Sequence, residues 1–296
     1  MNSMFDRGMI SRESKIMFVN DGSRDKTWEI IRELHESNPI YSGVKLSRNK
    51  GHQNALLAGL MTAKEKADMA ISLDADLQDD VDVIDKMVEK YYEGNDVVYG
   101  VRSARDTDTF FKKFTAEGFY KIMQAMGVEI VFNHADYRLM SKRALEGLSE
   151  FREVNLFLRG IVPLIGYKSD IVTYERHERF AGESKYPLKK MIAFAMDGIT
   201  SFSVKPIRLI LSVGALVFLV SVAMLLYSLI RKLLGHTVEG WAFLACSIWA
   251  LGGIQLLSLG VIGEYVGKIY NETKRRPRFI IADVLDAAED AAEKQA

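Results

Sequence analysis

Cysteine is nearly absent from this chain of 296 residues: Cys246 is the only one. No internal disulfide can form, which excludes a stapled secreted module. A zinc cluster built on thiolates needs several cysteines and is excluded as well. Net charge is also missing, because 39 basic side chains balance 39 acidic ones. No broad basic field is left to hold a polynucleotide, so no nucleic-acid partner is expected. Five prolines and 22 glycines exclude a collagen-like or low-complexity chain. No internal repeat is visible.

Charge is scarce in one region in particular. Residues 205–270 hold only seven charged side chains, whereas the other 230 residues hold 71. Two runs in that region, 209–230 and 241–263, carry no charge at all. A helix of about 20 residues crosses the hydrocarbon core of a bilayer, so each run is long enough to span it. The alternative is a pair of helices buried in a soluble core. Residues 231–240 are a short link, so the spans read as a hairpin with both flanks on one side. Lys205 and Arg208 precede the hairpin, and Lys274, Arg275, Arg276 and Arg278 follow it. This excess of positive charge predicts that the N-terminal domain and the tail, 271–296, are cytoplasmic. Residues 186–204 mix apolar and basic side chains. They read as an amphipathic juxtamembrane helix on the lipid bilayer or as an ordinary surface helix.

Residues 1–185 have a different texture. Short apolar runs at 16–19, 43–46, 69–73 and 96–99 read as strands. Stretches with helical spacing at 26–36, 51–66 and 81–92 separate them. This alternation predicts an α/β domain with a mainly parallel sheet and flanking helices. Ligands of such sheets bind at the carboxyl ends of the strands. Polar clusters follow three of these ends, at 20–25, 74–80 and 100–106, and are expected to converge on one edge.

Asp74 and Asp76 directly follow an apolar strand. Two carboxylates spaced i, i+2 suit one hard cation, Mg²⁺ or Mn²⁺, which commonly takes one or two carboxylates plus substrate phosphates. The bland reading is a turn with solvated acids. Asp79 and Asp80 fit a helix N-terminus. Asp21 either contacts a nucleoside or belongs to a turn in which Ser23 or Asp25 caps the next helix. Arg102 and Arg105 could hold a diphosphate or lie solvated on the surface. Arg176, Arg179, Ser184 and Lys185 form a basic group close to the bilayer, suited to a lipid phosphate or to acidic lipids in general. Asp136 is a lone acid that means little by itself. His52, His134 and His177 lack metal-ligand spacing and read as structural or surface residues.

Six segments in register carry a resemblance: FVNDGSRDKTWEII, LSRNKGHQNALLAGL, ISLDADLQDD, DVVYGVRSAR, HADYRLMSKRAL and ERFAGESKYPLKK, followed by the two spans. From about Lys15 to Arg278 the chain resembles the membrane-bound glycosyltransferases of family 2 that move sugars onto polyprenyl phosphate. The dolichol-phosphate mannose synthases and bactoprenol glucosyltransferases belong to this group. The resemblance implies a GT-A fold, a nucleotide-sugar donor, a divalent metal, a polyprenyl (undecaprenyl) phosphate acceptor and inversion at the anomeric carbon. It implies a multi-pass protein of the bacterial cell membrane that works in envelope glycan synthesis or modification. Asp74 and Asp76 match the family's D-x-D, which places metal and donor diphosphate. Asp21 matches the acid that contacts the base of the nucleotide, and Asp136 the acid proposed as general base. Arg102, Arg176, Arg179, Ser184 and Lys185 match positions that hold donor or acceptor phosphate.

The start of the chain departs from that pattern. Members begin with an apolar strand ending in a Pro-x-Tyr-Asn-Glu type motif, and none precedes the strand at 16–19. A central strand and part of the donor site are expected to be missing with it. This makes a truncated, inactive membrane protein that binds lipid or a partner the alternative reading. A processive polysaccharide synthase is disfavoured, because no Gln-x-x-Arg-Trp occurs. The juxtamembrane segment and hairpin could support a homo-oligomer, but no heptad seam marks one.

Overall fold

The computed structural model describes residues 1–102, 134–175, 199–201, 203–234 and 240–286. The chain divides into two compact units. The first contains the strands and short helices, and the second the two long helices.

In the first unit, β1 (Ile16–Asn20) pairs in parallel with β2 (Tyr41–Leu46). β7 (Ile281–Leu285) adds to the far edge of β2 in the antiparallel sense. A second sheet has the order β3 (Met69–Ser72), β5 (His134–Ser141), β4 (Val97–Arg102), β6 (Ser169–Tyr174). There β4 and β6 are parallel, while β5 runs antiparallel to both its neighbours. The α/β architecture with flanking helices is the expected one. The sheets are mixed rather than mainly parallel because β5 and β7, which the strand count omitted, enter antiparallel. Among the described residues, the outer strands β1, β7, β3 and β6 each keep one unpaired edge.

The helices follow from apolar spacing. α1 (Asn2–Asp6) contributes Met4 to the core. α2 (Thr27–Ser37) buries Trp28, Ile31 and His35, one stripe at helical spacing. α3 (His52–Lys64) buries Ala55, Leu57, Ala58, Gly59 and Leu60 and lies against both β1 and β3. Its small residues permit that approach, since a Cβ on Gly59 would come within 2.6 Å of Val19 Cγ2. A 3-10 turn (Val81–Val83) leads into α4 (Ile84–Tyr92). Met87 and Val88 of α4 pack with Tyr137, Leu139 and Val98 on one face of the second sheet. Ser141 Oγ accepts from Ala144 N at 3.1 Å and caps α5 (Lys142–Ser149). α6 (Leu158–Leu164) buries Leu158, Ile161 and Val162.

The segment after the hairpin returns to this unit. Leu285 joins Trp28 and Ile31, and Trp28 Nε1 donates to Asp283 at 3.0 Å. The buried Asp286 accepts from Lys15 Nζ at 2.5 Å and Lys66 Nζ at 2.8 Å.

The second unit holds α7 (Lys205–Leu233) and α8 (Trp241–Lys274). Both contain stretches long and apolar enough to cross a membrane, Lys205–Met224 and Ala250–Lys274. Neither stretch has a buried residue. Leu211, Phe218, Leu256 and Leu257 are all exposed, which suits hydrocarbon and not a soluble core. α8 runs on past the expected end at 263 and takes in part of the expected tail. Within this unit, Tyr265 Oη donates to the Ser203 carbonyl and Lys268 Nζ to Ser201 Oγ. Most of the expected amphipathic segment 186–204 lies outside the described residues.

Candidate active site

The carboxyl end of β1 makes a tight turn. Asn20 Oδ1 accepts from Ser23 N at 2.7 Å. Gly22 takes φ +66°, and a Cβ there would lie 2.4 Å from the Arg48 carbonyl carbon and 2.6 Å from Asn49 N. Only glycine satisfies both demands. Asp21 bridges to the next turn: its two oxygens accept from Lys50 N at 2.7 Å and Gly51 N at 2.9 Å. Asp25 accepts from Thr27 N, in keeping with a role at the start of α2.

The carboxyl end of β3 carries the D-x-D. Asp76 Oδ1 accepts from Gln78 N at 3.2 Å, which shapes the loop. Burial raises the pKa of Asp74, and Asp136, Asp79 and Asp76 add to that while His52 opposes it. Asp80 caps the 3-10 turn by accepting from Asp82 N. Asp79 does something else: it is buried and accepts from Tyr174 Oη at 2.5 Å. Arg102 Nε donates to the same hydroxyl at 3.2 Å, and its Nη2 lies 3.7 Å from Asp79 Oδ1. Burial and then Asp79 push the Tyr174 phenol up to about 12.

Asp136 lies on β5, on the face opposite Tyr137 and Leu139. Its carboxylate accepts from His52 Nε2 at 2.9 Å and from Arg159 Nη2 at 3.2 Å and Nε at 3.4 Å. Since a carboxylate can only accept, the His52 tautomer carries its proton on Nε2. His52 Nδ1 lies 3.9 Å from Asp74 Oδ1, so the imidazole stands between two strand ends. Burial alone would raise the pKa of Asp136. The hydrogen bond from His52 and the charge of Arg159 outweigh it and hold the carboxyl well below the ordinary range. The hydrogen bond to Asp136 raises the pKa of His52 in turn. Gln53 Oε1 accepts from Leu158 N at 2.8 Å, which stitches the start of α3 to the start of α6. Arg138 is wholly buried, with its guanidinium 5.2 Å from the Tyr99 ring. Its three nitrogens have no hydrogen-bond partner among the described residues.

Two sequence profiles match this chain. That of glycosyl transferase family 2 covers residues 3–149. A profile of the GtrB C-terminal hairpin covers residues 205–269. The chain is 54% identical over 281 residues to the uncharacterized glycosyltransferase YkoT of Bacillus subtilis, covering 95% of this chain and 83% of the relative. The chain belongs to glycosyltransferase family 2. Other members include the bactoprenol glucosyl transferase of Shigella phage SfV, 42% identical over 271 residues, with 91% of this chain and 88% of that one covered. A prophage bactoprenol glucosyl transferase homolog of Escherichia coli is 42% identical over 279 residues, with 93% and 90% covered.

Among the residues picked out from the sequence of this family 2 enzyme, the fold brings Asp74 and Asp136 together through His52. Asp21 joins them through the turn that begins α3. Arg102 sits in the Asp79 and Tyr174 network. Arg176, Arg179, Ser184 and Lys185 lie outside the described residues, as do Arg105 and His177. Sequence reasoning missed His52, Arg159 and Gln53.

Family 2 enzymes generally use a divalent metal. Among the described residues no group of three or more His, Cys, Asp or Glu side chains forms a complete cage. Two carboxylates on one loop with neighbouring acids fit a cation that takes its remaining ligands from a diphosphate and water. Burial first, and the neighbouring Asp136, Asp79 and Asp76 after it, disfavour the charged form of Asp74, which a bound cation would favour.

Proposed function

We propose that this glycosyltransferase moves one sugar from a nucleotide-sugar donor to polyprenyl phosphate at the cytoplasmic face of the bacterial cell membrane, with inversion at the anomeric carbon. The observation that carries this reading is the meeting of Asp74 and Asp136 across His52, in a chain whose hairpin exposes apolar side chains. Relatives named for bactoprenol glucosyl transfer support the acceptor. In the reaction an acceptor phosphate oxygen attacks the anomeric carbon, the bond from that carbon to the donor diphosphate breaks, and nucleoside diphosphate leaves.

Asp74 and Asp76 would hold Mg²⁺ or Mn²⁺, which when bound neutralises charge on the departing diphosphate. Asp21 would meet the nucleoside, with lone pairs left after its two backbone bonds. Arg102 would lie along the donor phosphates. Arg176, Arg179, Ser184 and Lys185 would grip the acceptor phosphate.

Asp136 is a poor proton acceptor in this setting, because His52 and Arg159 already stabilise its charged form. The chemistry does not require a strong base, since a phosphate monoester has a second pKa near 6 and is largely dianionic at neutral pH. Asp136 therefore serves to orient the sugar rather than to take a proton, and positioning supplies most of the rate.

The same topology supports a two-span arrangement. β7 follows the second long helix, yet pairs with β2, which precedes the first. A sheet cannot form across a bilayer, so an even number of crossings must separate the two strands.

The test uses membranes containing the full chain, a radiolabelled nucleotide-sugar and Mg²⁺. Label is expected in a butanol-extractable lipid, and Asp76→Ala is expected to abolish it. Absence of any lipid-linked label across nucleotide-sugar donors would overturn the reading.

A further inference from the structure

We infer that His52 is a positioning residue for the transfer reaction, setting Asp136 of β5 against the D-x-D end of β3. The inference rests on the transferase reading and adds a residue to it. His52 Nε2 donates to Asp136 Oδ2 at 2.9 Å, while Nδ1 faces Asp74 at 3.9 Å. It therefore stands between the strand end proposed for the donor diphosphate and the carboxylate proposed to orient the sugar.

The backbone around His52 is held on both sides. Asp21 takes the N–H groups of Lys50 and Gly51 just before it, and Gln53 just after it is tied to Leu158 N at the start of α6. Hydrogen bonds from three separate places, the turn after β1, the start of α6 and β5, thus fix where this imidazole points. A surface histidine needs no such anchoring, and the side chain remains 56% exposed, so the core gains little from it. The hydrogen bonds instead preorganise a partly exposed group of polar side chains, the condition under which an error of about 1 Å can cost on the order of 100-fold in rate. Arg159 completes the arrangement by holding the other side of Asp136, with Nε near Oδ1.

Two substitutions of equal polarity and different reach test this role. The amide nitrogen in His52→Gln can reach the place of Nε2, whereas that in His52→Asn reaches only the place of Nδ1. Each is made in the full chain in membranes. The readouts are kcat, KM for donor and for acceptor, and thermal stability. His52→Asn is expected to lower kcat roughly 10- to 100-fold with donor KM little changed. His52→Gln is expected to restore kcat to within about threefold of wild type, by restoring the hydrogen bond. In an Asp136→Asn background, His52→Asn is expected to cost little more, because the partner it positions is already lost. Both half-exposed variants are expected to fold, and matched melting temperatures establish this. Equal kcat for the Asn and Gln variants, or fully multiplicative losses with Asp136→Asn, would overturn the inference. A wild-type protein without lipid transfer would instead sink the transferase reading, which keeps the two failures distinct.

Discussion

Asp136 is buried, ionised and held by two donors, and this ties its contribution to pH. Its folded pKa lies below its unfolded one, so the stabilisation is fully present above the unfolded value and fades as pH falls through the folded value. Asp136→Asn is expected to destabilise the first unit by about 1–3 kcal/mol at neutral pH. The gap in melting temperature between wild type and variant is expected to grow as pH falls through the raised pKa of His52 and to narrow below about pH 4. A gap that keeps widening below about pH 4 would contradict the assignment of the charged form. Residues of this kind were only partly legible in the sequence. Asp74 and Asp76 stood out because they end an apolar run. Asp136 acquired a meaning only through resemblance. His52 lacks metal-ligand spacing and reads as a structural or surface residue, yet it donates to a carboxylate 84 residues away. Pairings of that range leave no local period. A signal was available in the GHQN sequence itself, since polar side chains opening a helix at a strand's carboxyl end face the ligand edge of an α/β sheet. Asp79 shows the converse: it reads as a helix cap, but a tyrosine from β6 claims it.

β7 decides how the edge of the first sheet is closed. The five residues of β7, which follow the two long helices, cover β2, complete the packing around Trp28 and bring Asp283 to its indole nitrogen. Trp28→Ala is expected to cost about 3–5 kcal/mol, as a buried aromatic lost from a core does. Truncation before Ile281 is expected to expose the same tryptophan and the β2 edge. Limited proteolysis of the first unit checks both, and unchanged resistance after truncation would show that β7 is dispensable. The strands β1 to β4 and the helices α2 to α4 were legible within a residue or two at most ends, because burial gives them clear periods. β7 was hidden in what reads as a charged tail, since an edge strand half-exposed to solvent shows little alternation. The position of β5 between β3 and β4 was equally hidden, because strand order depends on pairings far apart in the chain.

At the scale of the whole molecule, zero net charge conceals a charged α/β unit and a nearly uncharged hairpin. The hairpin was the most legible part of the sequence, since uncharged length is a local property. β7 adds a constraint that hydropathy does not contain, because both flanks of the hairpin meet in one sheet. Tags at the N-terminus and after Ala296 are both expected on the cytoplasmic side, and a tag in the link 235–239 on the opposite side. Tags at the two termini on opposite faces would contradict the pairing of β2 with β7. The most direct test of the proposed reaction is reconstitution of the purified chain with a nucleotide-sugar, Mg²⁺ and vesicles containing either polyprenyl phosphate or the unphosphorylated polyprenol. Mass spectrometry is expected to show polyprenyl phosphate heavier by one sugar, with one nucleoside diphosphate released per sugar and no product from the alcohol. Release of nucleoside diphosphate without a glycosylated lipid, or a lipid carrying a growing polymer, would contradict single-sugar transfer to polyprenyl phosphate.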